Sequence, residues 1–135
     1  MNWKLILGLS LFGLAMAIAT VFIIPANIEP VVWLVIFVVV AFLIPRLQPD
    51  RHFLHGLLVG IVNSVWITAA HIVFFDQYIA KHAKEAAIMK SMPASPRVMM
   101  AVVGPLVGII SGIVIGVLAL LAARAAKSRR SSASA

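Results

Sequence analysis

Four long apolar runs, at residues 5–24, 28–44, 53–75 and 98–123, occupy most of the chain, and its charged residues gather at their ends. A helix that crosses a bilayer needs about 20 residues. The first, third and fourth runs meet that length. The second reaches it by continuing past Pro45 to Leu47 as a kinked helix, giving a span over 28–47. Lipid offers backbone groups no water, so each run is expected to be helical. The predicted fold is an all-α integral membrane four-helix bundle over residues 1–124.

Prolines punctuate the pattern. Pro25 and Pro30 bracket the first turn, Pro45 and Pro49 the second, and Pro93 and Pro96 the third. Pro30 suits an early position of helix two, and Asp50 is placed to cap helix three. Pro105 alone falls deep inside a span, where it predicts a kink in helix four. The stretch 76–90 lacks glycine and proline and is rich in Ala, Lys and Glu. Those residues favour helix, so helix three is predicted to leave the membrane as one rod over 52–90, roughly 58 Å long. Residues 125–135 read as a disordered basic tail.

The first run also carries features of a secretory signal. Lys4 precedes an apolar core with small-residue sites at Ala15-Met16-Ala17 and Ala17-Ile18-Ala19. The run continues through residues 20–24, which makes a full span, and it is read as a retained helix.

All eight glycines lie inside the runs and none in a turn. In a membrane, glycine lets helix backbones approach closely. Helix four carries Gly104-x3-Gly108-x3-Gly112-x3-Gly116, a glycine-zipper pattern with Ser111 beside it. Its partner is either helix three of the same chain, across the short third turn, or helix four of a second copy. Helix three supplies a matching face. At 100° per residue, Gly56, Gly60, Asn63, Ser64, Thr68 and His71 share an arc about 140° wide. Gly56, Gly60, Ser64, Gly104, Gly108, Gly112 and Gly116 are therefore the predicted helix-packing residues.

Charge refines the picture. Eleven Lys and Arg against four Asp and Glu give a formal charge of +7. The basic residues flank apolar runs instead of forming a stripe with interleaved aromatics, which argues against nucleic acid. Seven of them sit at the N-terminus, the second turn and the tail, against four in the third connection. The positive-inside rule then puts both termini in the cytoplasm. Trp3 suits the aromatic belt on that side, while Trp33 and Tyr78 suit the opposite one.

The candidate chemistry is histidine-centred. An ionisable residue at membrane depth is a functional candidate, and His71 lies about one turn inside the far boundary. On a continuous rod, Tyr78, His82 and Glu85 would extend its face. Asn63, Thr68, His71, Tyr78 and His82 form the candidate polar site. Metal binding needs convergent ligands, and on one rod His71 and His82 stand about three turns apart. His52-x2-His55 offers a ligand spacing without an evident third ligand. Both pairs therefore read first as hydrogen-bonded or interfacial histidines, and His52 as a contact for lipid phosphate. The chain has no cysteine, no serine-histidine-acid set, no phosphate-binding loop and no HExxH motif. No catalytic residue, metal or cofactor is assigned. None of the four carboxylates falls near a span centre, which separates the chain from small multidrug exporters that rely on an acidic residue in helix one.

Residues 53–123 resemble a group of uncharacterised small four-span bacterial membrane proteins. The resemblance rests on Gly56-x3-Gly60, the His71-x2-Phe74-Phe75-Asp76-x-Tyr78 exit from helix three, and the helix-four glycines. It implies four helices in a bacterial inner membrane and no particular activity.

Three functions are compatible with these features. The first is a non-enzymatic accessory or assembly factor that packs with a second copy or another membrane protein. The second is an oligomeric channel or carrier lined by the polar face of helix three. The third is a histidine-dependent membrane enzyme or metal protein.

Overall fold

The computed structural model describes residues 1–133, apart from the side chains of 129–131 and 133. Within them the chain forms six helices and no strand: α1 (Trp3–Phe22), α2 (Glu29–Leu47), α3 (His52–Val73), α4 (Phe75–Lys81), α5 (Ala83–Lys90) and α6 (Pro96–Ala133). Helices α1, α2, α3 and α6 are each long and apolar enough to cross a membrane. Large apolar side chains such as Leu7, Leu11, Val31, Leu34, Val65, Leu106 and Ile110 are exposed around the bundle. In water such a surface would drive association, whereas lipid solvates it.

The local sequence explains most helix ends. Asn2 caps α1, its side-chain oxygen accepting the Leu5 N–H at 3.1 Å. Helix α2 opens with Glu29 and Pro30 and closes with Arg46 in its last turn, charges that complement its dipole. It passes through Pro45 and ends at Leu47.

Helix α3 begins differently from the prediction. Its N-cap is Arg51, in the left-handed region at φ 51°, and Asp50 is engaged instead by the Gln48 amide at 2.8 Å. Two histidines steady this turn. The His52 ring meets the Gln48 carbonyl at 3.0 Å, and the His55 ring meets the Arg51 carbonyl at 2.9 Å. His52 thereby helps to close the turn before α3.

Helix α3 is the spine. It packs most extensively on α6, then on α1, while α2 leans chiefly on α6. The α3–α6 contact is backbone against backbone. A Cβ on Gly56 would lie 2.6 Å from the Gly116 Cα, and one on Gly60 would collide with Gly112. Further along, Gly108 takes the Ser64 side chain and Gly104 the Thr68 side chain. The four glycines of α6 are thus occupied within one chain.

The apolar core lies toward the termini. There Ile6 and Leu9 of α1, Val40, Ala41 and Ile44 of α2, Val59 of α3, and Ile115 and Ala119 of α6 bury one another. At the opposite end a smaller cluster joins Val21, Tyr78 and Met100.

Two expectations about chain path are corrected. The rod over 52–90 is broken at Phe74 and at His82, whose ψ angles of 40° and 61° are not helical. Propensity favours helix on both sides of each break, but tertiary contacts decide the direction: the folded-back segment buries Tyr78 and His82 on the bundle. The stretch 125–133 is helical as the end of α6, not a disordered tail. Its alanines favour helix, and its basic residues suit a helix C-terminus. Residues 134–135 of the predicted tail lie outside the described residues.

Candidate functional site at the end opposite the termini

The breaks around α4 bring together residues that a straight rod would hold apart. The Tyr78 ring stacks on His71, centroids 4.0 Å apart, and on His82, centroids 4.1 Å apart. Tyr78 is thereby sandwiched between two imidazoles. Burial, reinforced by the carboxylates of Glu29 and Glu85, holds its phenol well above the ordinary value of 10.0. Tyr78 therefore stays a hydrogen-bond donor across the physiological range.

Each imidazole is tied to a different helix. The Thr20 hydroxyl donates to the Ala17 carbonyl at 3.1 Å, so its oxygen is left to accept from His71 Nε2–H, also at 3.1 Å. That leaves His71 Nδ1 as the lone-pair nitrogen. His82 is 1% exposed. Its Nδ1 faces the Tyr78 carbonyl and its Nε2 faces Glu29 Oε2, both at 3.0 Å. This contact ties the start of α2 to the break between α4 and α5. Trp33, four residues after Glu29, completes the group by donating its indole N–H to Glu29 Oε1 at 3.2 Å.

Beneath this stack lies a cavity of about 750 Å³, within the size range of small-molecule sites. Three helices and a cap enclose it. Trp33, Leu34 and Phe37 of α2 form one wall; Met99, Met100, Val103 and Val107 of α6 form the other. The back is the polar face of α3, with Asn63, Ser64, Thr68 and His71. Glu85, Ile88, Met89 and Met92 of α5 and the following turn line the top. The core of α2 and α6 seals the end toward the termini, so the cavity is blind there. Leu34 and Val107 are 61% and 54% exposed, which opens it sideways between α2 and α6.

The cavity is mainly apolar, with polar groups on one side. Two buried polar groups at its edge lack partners. Glu85 Oε2 makes no hydrogen bond, and neither does either amide atom of Asn63, which is 3% exposed. Asn63 is pressed against Gly13 of α1, where a Cβ would meet the Asn63 Cγ at 2.5 Å. Lys81 and Arg97, at the same end, are engaged elsewhere. Lys81 donates to the Phe22 carbonyl, and Arg97 stacks 4.8 Å from the Phe75 ring.

The structure therefore joins Asn63, Thr68, His71 and Tyr78 around one cavity, with His82 behind Tyr78. Ser64 and Gly60, assigned to packing, line it as well. His52 and His55 lie at the other end and have local roles. His55 is fully buried, and its Nε2 accepts the Asn2 backbone N–H at 3.2 Å. Among the described residues no group of three His, Asp or Glu side chains is arranged to hold a metal. Sequence reasoning missed Glu29, Thr20, Trp33 as a hydrogen-bond donor, and the methionines. Glu29 lies at a helix end, away from the span centres, and its four-residue spacing from Trp33 is the one clue in the sequence. Met89, Met92, Met99 and Met100 straddle the third turn, so their clustering was visible once that turn was treated as a hairpin.

No protein-family model matches the chain, and no curated protein and no solved structure matches it either.

Proposed function

We propose that this protein binds an amphiphilic molecule within the outer half of a bacterial inner membrane and serves as its carrier or receptor, with both termini in the cytoplasm. One observation carries this reading: a mainly apolar cavity of about 750 Å³ whose lining reaches the bundle surface at Leu34 of α2 and Val107 of α6. A side opening admits molecules dissolved in lipid. The blind end at the core disfavours a through-channel. The alternative of an accessory that packs by its glycine ladder is weakened, because those glycines already hold α6 against α3.

Photolabelling tests the proposal. The full chain is reconstituted in vesicles with a trace of an uncharged hexadecyl probe carrying a diazirine. Labelling should concentrate on residues 85–107 and saturate with probe. Val107→Trp fills the opening from an exposed position and should reduce labelling severalfold without changing thermal stability. Non-saturable labelling spread evenly over lipid-facing residues such as Leu7, Leu11 and Ile110 would overturn the reading.

A further inference from the structure

The chemistry at the cavity top goes beyond a general affinity for lipid. We infer that the cavity selects an amphiphile with a single cationic head, an alkylammonium, and holds that head at Glu85 beneath α5. The inference rests on the amphiphile-binding reading above.

Charge complementarity identifies the head. Two carboxylates, Glu29 and Glu85, line the cavity, and no Lys or Arg does. Glu29 is already matched by His82 and Trp33. Glu85 is not: its inner oxygen is sealed from solvent without a partner. A carboxylate oxygen shielded from water needs a donor or a cation, and a cationic head supplies either.

The walls suit the same head. Trp33 contributes an aromatic side chain to the lining, and aromatic faces attract ammonium groups. Met89 and Met92 add polarizable thioethers that adapt to an irregular apolar body.

The same features disfavour other heads. A sulfate or carboxylate head would face the unpaired Glu85 carboxylate with no Lys or Arg in the lining. A zwitterionic phospholipid would bring its phosphate against it too. The basic groups at this end do not reverse the balance. Lys81 and Arg97 are committed to Phe22 and Phe75, while Lys84 and Lys90 are exposed on the outside of α5 and absent from the lining.

The test uses competition against the uncharged diazirine probe in vesicles. Hexadecyltrimethylammonium, hexadecanol, hexadecyl sulfate and a lysophosphatidylethanolamine are compared on the wild-type chain and on Glu85→Gln. The alkylammonium should compete at least roughly tenfold better than the other three, matching one charge-assisted contact. Glu85→Gln should remove that advantage while hexadecanol competes unchanged. Glu85 is only half-buried and makes no bond in the fold, so the variant should fold; its melting temperature checks this. Equal competition by all four would overturn head-group selection and leave the cavity reading standing. Preference for the sulfate or the phospholipid would overturn it as well, and so would an advantage that survives Glu85→Gln. Failure of all four, with labelling that never saturates, would instead sink the cavity reading.

Discussion

Glu29 and His82 lie 53 positions apart in the chain, yet their side chains meet at 3.0 Å. This contact joins the start of α2 to the hinge between α4 and α5. Together with the burial of Tyr78, it holds the segment after α3 over the bundle as a cap.

Removing one partner should therefore loosen the cap. His82→Ala should destabilise the protein by about 1.5–3 kcal/mol, the usual range for a hydrogen bond to a charged group. Amide hydrogen exchange should rise across residues 75–90 and stay unchanged in α1. Uniform exchange throughout the bundle would show that the contact does not hold the cap.

Tyr78 gives a direct optical readout, since it is the single tyrosine of the chain. Its phenol is held above its ordinary value of 10.0 in the fold, chiefly by burial. A raised folded value means that the folded state keeps its proton where the unfolded state has lost it. The contribution is complete below pH about 10 and is lost as pH rises beyond it. Absorbance of tyrosinate should appear near pH 10 in unfolded protein and only at clearly higher pH in folded protein. Tyr78→Phe should remove the alkaline decline in melting temperature.

The glycines divide by what surrounds them. A Cβ at Gly56 would lie 2.6 Å from the Gly116 backbone, whereas one at Gly8 meets nothing within 4 Å. Backbone cannot swing aside like a side-chain tip. Gly56→Ala should cost about 1–3 kcal/mol by overpacking. Gly8→Ala should be neutral or stabilising by up to about 1 kcal/mol. Thermal unfolding in mild detergent measures both.

His55 should behave as a structural residue. It is fully buried and bridges Asn2 to Arg51. His55→Ala would leave a backbone N–H and a carbonyl short of partners, at about 1–3 kcal/mol. Unfolding should show that loss, while photolabelling of the cavity at the far end should persist in the remaining folded protein.

At the fully exposed Asp50, the Gln48 amide is the main reason the carboxyl titrates below its usual value. The sign is opposite to that of Tyr78. A lowered folded value contributes stability above the unfolded value, and that contribution is lost as pH falls through the folded one. Gln48→Ala should shift the Asp50 carbon resonance titration upward, toward 3.8.

Length, hydropathy and proline spacing are local quantities, and they suffice to place four helices apolar enough to cross a membrane. The polar face of α3 is legible for the same reason: a helix wheel needs only residue order. The glycine spacings announced close packing but left two partners open, since spacing carries no information about which backbone approaches. Tertiary structure decided that α6 packs on α3 in the same chain. It alone decided the folded cap, because propensity over 76–90 favours an unbroken helix and only burial of Tyr78 and the reach of His82 to Glu29 oppose it. The cavity is likewise a tertiary fact. It exists because α2 and α6 meet in the core near the termini and leave a gap at the other end, and such a gap has no residue of its own in the sequence.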